Sequence, residues 1–130
     1  MAGSYTHKNI NEVDDSAEKF GFGDTQEARF ASEAFETEQT GLSHHRMKPG
    51  KRQTFGHHHE DAEEVYFVVS GSGRIKLDDD IIEVTERDAI RISPGVMRSW
   101  EAGDDGLEVL AFGPRHKEDP GELVQGWWSD

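Results

Sequence analysis

The sequence predicts an all-β domain, either a sandwich or a barrel, because short strand-like segments recur at intervals of about ten residues. Turn sequences rich in Gly, Asp, Ser and Pro separate these segments. The apolar segments are VYFVVS, RIKL, IIEV, AIRI and LEVLAF, and GSG, DDD, TERD and SPG are among the turns. A chain of 130 residues is long enough to bury one core. We therefore expect a single β-domain.

The N-terminal part of the chain differs from the rest in composition. Residues 1–26 are polar and contain GFGD, which predicts an arm or loop, and residues 27–130 are assigned to the barrel domain. Helix is compatible only with the stretch from Asp15 to Ala34, where glycines keep any helix short. The Asp78–Asp80 run predicts a hairpin tip, since a calcium loop needs oxygen ligands that are more widely spaced.

Composition excludes several classes of partner and chemistry. Fourteen Lys and Arg against 27 Asp and Glu give a net charge of −13, which disfavours nucleic acid and anionic membranes as partners. The absence of cysteine excludes thiol catalysis, disulfides and thiolate metal sites. No segment reaches the ~20 apolar residues of a membrane span, and no signal peptide is recognisable. The expected location is therefore the cytoplasm.

The segment GHHHEDAEEVYFVVSG carries a candidate metal site. In an extended strand His57 and His59 point to the same side, and an antiparallel return after the EDAE turn brings Glu64 back toward them. Two neutral imidazoles and a carboxylate are a ligand set for a divalent transition metal.

Two stretches of the chain resemble the motifs of the cupin superfamily. The first motif is Gly, five residues, His-x-His, three or four residues, Glu, six residues and Gly. The chain matches it from Gly50 to Gly71, with one extra residue in the first gap. The second motif is matched less fully by ERDAIRISPGVMRSWEA, where Arg98 stands in place of the expected His and Ala102 in place of the expected Asn. The resemblance covers residues 28–113.

The resemblance implies a double-stranded β-helix, or jelly-roll barrel, that is often a homodimer. It implies one divalent metal (Fe, Mn, Ni or Zn) bound by His57, His59 and Glu64, because Arg98 has no lone pair to offer as the fourth ligand. Cupins of this kind include oxygenases, decarboxylases and isomerases, so the resemblance does not fix a reaction.

Three arrangements of these residues stay open. In the first, the metal is present and Arg98 turns aside to bind an anionic group of a small polar substrate. In the second, there is no metal, and Arg98 pairs with Glu64 in a barrel that binds or senses a small molecule. In the third, the histidines are exposed on a loop and have no site role.

Several neighbouring side chains are further candidates. By strand parity Tyr66 and Val68 share the inward face of Glu64, so Tyr66 is a candidate substrate contact, and Trp100 shares a face with Arg98. One of His44 and His45 must also face inward, where it could act beside the metal ligands or in proton transfer. The terminal Trp127 and Trp128 are expected to pack on the barrel or on a partner subunit.

Overall fold

The computed structural model describes residues 3–115 and 122–128, and within them eight strands form one curled antiparallel sheet. This architecture confirms the all-β prediction. The strands are β1 (Gln26–Phe30), β2 (Thr40–Met47), β3 (Phe55–His58), β4 (Glu64–Leu77), β5 (Asp80–Thr85), β6 (Ala89–Ile92), β7 (Arg98–Pro114) and β8 (Glu122–Gln125). The helices are short: a 3₁₀ turn (Ile10–Glu12), α1 (Ser16–Lys19) and α2 (Ala31–Phe35).

The two long strands β4 and β7 hold the barrel together. They pair along most of their length, from Val65 opposite Phe112 to Leu77 opposite Arg98. The register shifts twice, between Val68 and Ser70 and between Gly71 and Gly73. Such irregularities bend a strand, which lets one long strand contribute to both sides of a curled sheet. Strands β5 and β6 add to β4, while β2 and β3 add to β7.

The barrel interior is filled by the inward side chains of these two strands. Tyr66 and Val68 are almost fully buried, which confirms the parity predicted for them. Together with other buried apolar side chains they form one core cluster, which includes Met47, Ile75, Ile92, Trp100, Leu107 and Val109. Outward-facing residues of the same strands, such as Val65 and Phe112, are partly exposed.

The segment before β1 packs on the barrel. Asp15 caps α1 by accepting a hydrogen bond from the Ala17 amide, and the same carboxylate oxygen accepts one from the Ala28 amide on β1. Ala17 is buried. The predicted boundary between an arm and a barrel near residue 26 stays a prediction, but residues from Asp15 onward are in contact with the sheet.

The Asp78–Asp80 turn and the C-terminal segment agree with the predictions made from the sequence. Leu77 pairs with Asp80, so the Asp78–Asp80 run is a hairpin tip as predicted. Strand β8 pairs with β3, and the Trp128 indole N–H donates to Ser99 Oγ at 3.0 Å. Lys76 Nζ lies 4.1 Å from the ring centroid of Trp127, so both tryptophans pack on the barrel.

Within the described residues, no helix has the length and apolar composition needed to cross a membrane.

Gly71→Ala should destabilise the protein far more than Gly95→Ala. Both glycines have positive φ, 82° and 85°, which costs an alanine about 1–2 kcal/mol. A Cβ at Gly71 would also lie 2.1 Å from the Gly106 carbonyl oxygen, whereas a Cβ at Gly95 meets no atom within 4 Å. Urea denaturation of both variants measures the difference, and equal losses would contradict the close approach of β4 and β7 at Gly71.

Candidate metal and ligand site

A cavity of about 610 Å³ lies within the barrel and is lined mainly by apolar side chains. Its polar lining includes five side chains that we call the polar wall: His45, His57, His59, Glu64 and Tyr66. The size is typical of sites for small molecules.

The structure brings the three predicted metal ligands together on the polar wall. His57 lies on β3, His59 follows that strand, and Glu64 begins β4. One ligand atom from each residue lies within 4.8 Å of the other two. The His57 and His59 rings are nearly perpendicular, with centroids 5.7 Å apart. The cluster places two imidazoles and one carboxylate where they can bind the same cation.

Arg98 lies directly behind this cluster and is fully buried. Its guanidinium donates through Nη2 to Glu64 Oε1 in a short contact and through Nη1 to the Val96 carbonyl at 2.9 Å. Its Nε donates to the Tyr66 hydroxyl at 3.3 Å. His59 Nε2 is 3.8 Å from the same Glu64 oxygen. Arg98 is therefore an internal partner of Glu64, and the substrate contact expected of it stays a prediction that requires the side chain to move.

Burial keeps His45 and His57 neutral. It lowers the pKa of His57 from 6.5 to about 3, and the positive charge of Arg98 adds to the effect. Burial also lowers the pKa of His45 from 6.5 to about 3, with a further contribution from His44. A neutral imidazole retains a nitrogen lone pair, which a metal ligand requires. Burial and the negative charge of Glu64 raise the pKa of Tyr66, so its hydroxyl keeps its proton.

The two adjacent histidines of β2 point in opposite directions. His45 faces the cavity, and its Nε2 lies 2.8 Å from Ser43 Oγ. His44 lies on the other face of the strand, and its Nε2 is 2.6 Å from Glu108 Oε2. Strand alternation predicted that one of the two histidines faces inward without identifying which one, and in the structure it is His45.

Trp100 supports the polar wall from behind. Its ring centroid lies 4.9 Å from that of Tyr66 and 5.0 Å from that of His45, and the side chain is 1% exposed. It is not among the residues that line the cavity. The predicted substrate contact of Trp100 stays a prediction, while Tyr66 does line the cavity.

The sequence did not predict the apolar side of the cavity. Four phenylalanines contribute to it, and we call them the aromatic wall: Phe20, Phe22, Phe30 and Phe55. Two of them belong to the segment predicted as a polar arm. Aromatic side chains in an otherwise polar stretch could have indicated this packing, because large apolar residues tend to be buried.

A sequence model of the Cupin domain family matches residues 43–113, which is more than half of the chain. The chain belongs to the cupin family. Cupins commonly bind a metal inside the barrel, and the donor types and spacing of His57, His59 and Glu64 suit a three-ligand site for a divalent transition metal. No curated protein sequence matches the chain.

Solved structures share the fold over 78–99% of this chain. A cupin protein from Bacteroides fragilis is 19% identical, with 99% of each chain covered and a TM-score of 0.69. The polyketide cyclase RemF from Streptomyces resistomycificus is 18% identical, with 96% of this chain and 87% of that chain covered and a TM-score of 0.72. A sugar phosphate isomerase from Silicibacter pomeroyi is 16% identical, with 78% and 77% covered and a TM-score of 0.64. At these identities the likeness establishes the fold only.

The stability of this cupin should fall with acid partly because of His45. Below pH 6.5 the unfolded chain binds a proton at this residue that the folded state does not bind until pH falls to about 3. The free energy of unfolding therefore decreases as pH falls through this window, by at most about 1.4 kcal/mol per pH unit. In His45→Gln this contribution is absent.

Urea denaturation at pH 6.5 and 4.5, with a chelator present, tests the effect. The wild-type protein should lose roughly 2 kcal/mol more than His45→Gln over this interval. His7→Asn, which changes an exposed histidine, should behave as the wild type. An identical pH dependence in His45→Gln and the wild type would show that His45 is not buried in its neutral form.

Proposed function

We propose that this cupin holds one divalent transition metal through His57, His59 and Glu64 and acts on a small molecule in the adjoining cavity. The observation that carries the proposal is the convergence of three ligand atoms within 4.8 Å of one another on a cavity wall. A bound metal would supply a Lewis acid with coordination positions free of protein ligands. Fe, Mn, Ni and Zn all accept this donor set.

The surrounding residues have separate roles in the proposal. Arg98 positions Glu64 through its buried hydrogen bond, and Tyr66 accepts a hydrogen bond from the same guanidinium. Because the Tyr66 hydroxyl keeps its proton and lines the cavity, it can donate a hydrogen bond to a bound ligand. Oxygenation, decarboxylation and isomerisation are all compatible with such a site. The predicted homodimer and cytoplasmic location stay predictions.

A second candidate function is favoured by the Arg98–Glu64 contact itself. The Arg98 guanidinium, paired with Glu64, already neutralises the charge of the carboxylate, as a bound metal cation would. The positive charge also opposes a second cation beside the same oxygen. In this alternative the barrel binds or senses a small molecule without metal, and the histidines act as neutral hydrogen-bonding groups.

Metal content separates the two candidates. We expect untagged protein, incubated with Fe(II), Mn(II), Ni(II) or Zn(II) and then dialysed, to retain about one equivalent of one metal per chain by elemental analysis. Glu64→Gln should retain far less, since it replaces a carboxylate ligand by a neutral amide, and His7→Asn should match the wild type. Less than about a tenth of an equivalent in the wild type would remove the basis of the metal proposal and favour the second candidate.

Arg98→His should bind metal at least about tenfold more tightly than the wild type. The substitution removes a buried positive charge and supplies the imidazole that the cupin motif has at this position. Arg98→Met is the matched control, because it removes the charge without adding a ligand. Titration with Zn(II) against a competing chelator measures both affinities, with circular dichroism as the check on folding. A folded Arg98→His protein with no gain over Arg98→Met would argue that the three ligands are not arranged for metal.

A further inference from the structure

The aromatic wall comes largely from outside the part of the chain that matches the cupin family. Phe20, Phe22 and Phe30 precede residue 43, where the family match begins, and Phe55 lies on β3. The Phe22 and Phe55 rings pack at 5.2 Å between centroids with a tilt of 51°. This geometry is that of a favourable aromatic pair, which leaves ring faces and edges available to a third ring. Three of the four rings of the aromatic wall therefore come from residues before the family match.

Two members of the aromatic wall are incompletely covered. Phe20 is 75% exposed and Phe30 is 56% exposed, although both line the cavity. Grouped apolar rings in contact with water are characteristic of surfaces that bind a ligand. These two rings line the same cavity as the Phe22–Phe55 pair, so a planar apolar ligand in the cavity has aromatic surface to contact.

A buried amide next to Phe22 has no partner for its carbonyl. Gln26 is 4% exposed and lines the cavity, and its backbone N–H donates to the Phe22 carbonyl at 3.0 Å. Its side-chain Oε1 is buried without a hydrogen-bond partner in the described part of the chain. A buried unpaired acceptor is unfavourable, and a ligand hydroxyl would satisfy it.

The charges around the cavity argue against an anionic ligand. No Lys or Arg is among the described residues that line it, and the guanidinium of Arg98 is buried behind Glu64. Phosphate and carboxylate groups are bound in proteins mainly by cationic side chains. The side chains of this lining therefore give a small anionic substrate no cationic partner, and only a bound metal could supply one.

We infer that the cavity binds a hydroxylated aromatic molecule, a phenol or naphthol, with its ring on the aromatic wall and its hydroxyl donating to Gln26. The inference deepens the proposed function, because it names the ligand class for the same cavity. It depends on the barrel site and not on the metal, since neither the aromatic wall nor Gln26 is a metal ligand.

Isothermal titration calorimetry with a matched series of compounds tests the ligand class. The probes are 2-naphthol, decahydro-2-naphthol, 2-methoxynaphthalene and glucose 6-phosphate. We expect 2-naphthol to bind about tenfold more tightly than its saturated analogue, which lacks the aromatic ring. It should also bind about tenfold more tightly than the methoxy compound, which cannot donate to Gln26. Absence of 2-naphthol binding, equal affinity for the saturated analogue, or tighter binding of glucose 6-phosphate would overturn the inference.

Substitutions locate the binding site. Phe22→Leu should weaken 2-naphthol binding several-fold and leave the saturated analogue nearly unaffected. Gln26→Met should abolish the preference for 2-naphthol over 2-methoxynaphthalene. Phe112→Leu is the control, because Phe112 is a partly exposed phenylalanine that does not line the cavity. Equal weakening by Phe112→Leu and Phe22→Leu would overturn the assignment, and the wild-type series decides the ligand class if a variant does not fold.

Each titration is run on metal-loaded and on chelator-treated protein, with metal content measured on the same samples. If the protein binds 2-naphthol but retains no metal after incubation with metal and dialysis, the inference is upheld and the metal proposal is contradicted. Retention of metal without binding of 2-naphthol would overturn the inference and support the metal proposal.

Discussion

The buried contact between Arg98 and Glu64 is the interaction on which the polar wall depends. It joins the start of β7 to the start of β4 and is completed by Tyr66 and the Val96 carbonyl. A buried ion pair adds little net stability, but removal of one partner leaves an uncompensated charge in a region of low dielectric constant. The pair therefore fixes where the Glu64 carboxylate lies and contributes to the neutral state of His57.

The same contact affects how tightly the site can bind a cation. A carboxylate has two oxygens and can accept from a guanidinium while it coordinates a metal. The guanidinium would nevertheless lie close to a bound metal, and its charge would lower metal affinity relative to a site with a fourth imidazole. A three-ligand cupin site with an arginine behind it should therefore bind metal more weakly and leave more coordination positions for other ligands. The replacement of the second motif's His by Arg98 therefore bears on the chemistry of the whole candidate site.

Sequence reasoning succeeded where a residue's environment follows from local periodicity. Strand alternation placed Tyr66 and Val68 inside the barrel, and the His-x-His spacing predicted that His57 and His59 point to the same side, as they do in the cluster with Glu64. It did not establish the environment of Arg98, because a side chain of that length can reach either the cavity or an internal carboxylate. It also missed the aromatic wall, since the packing of residues 16–30 on the cavity depends on contacts across the barrel, such as Phe22 with Phe55.

The two walls of the cavity have different origins in the chain. The polar wall lies within residues 43–113, the part that matches the cupin family, whereas three of the four rings of the aromatic wall lie before it. A substitution in residues 16–30 can therefore change which ligand fits without moving a candidate metal ligand. The Asp15 carboxylate accepts hydrogen bonds from two backbone amides, one on α1 and one on β1, and so holds this segment against the sheet. The aromatic wall and the candidate metal ligands thus lie largely in different segments, and membership of the fold family does not by itself determine the ligand.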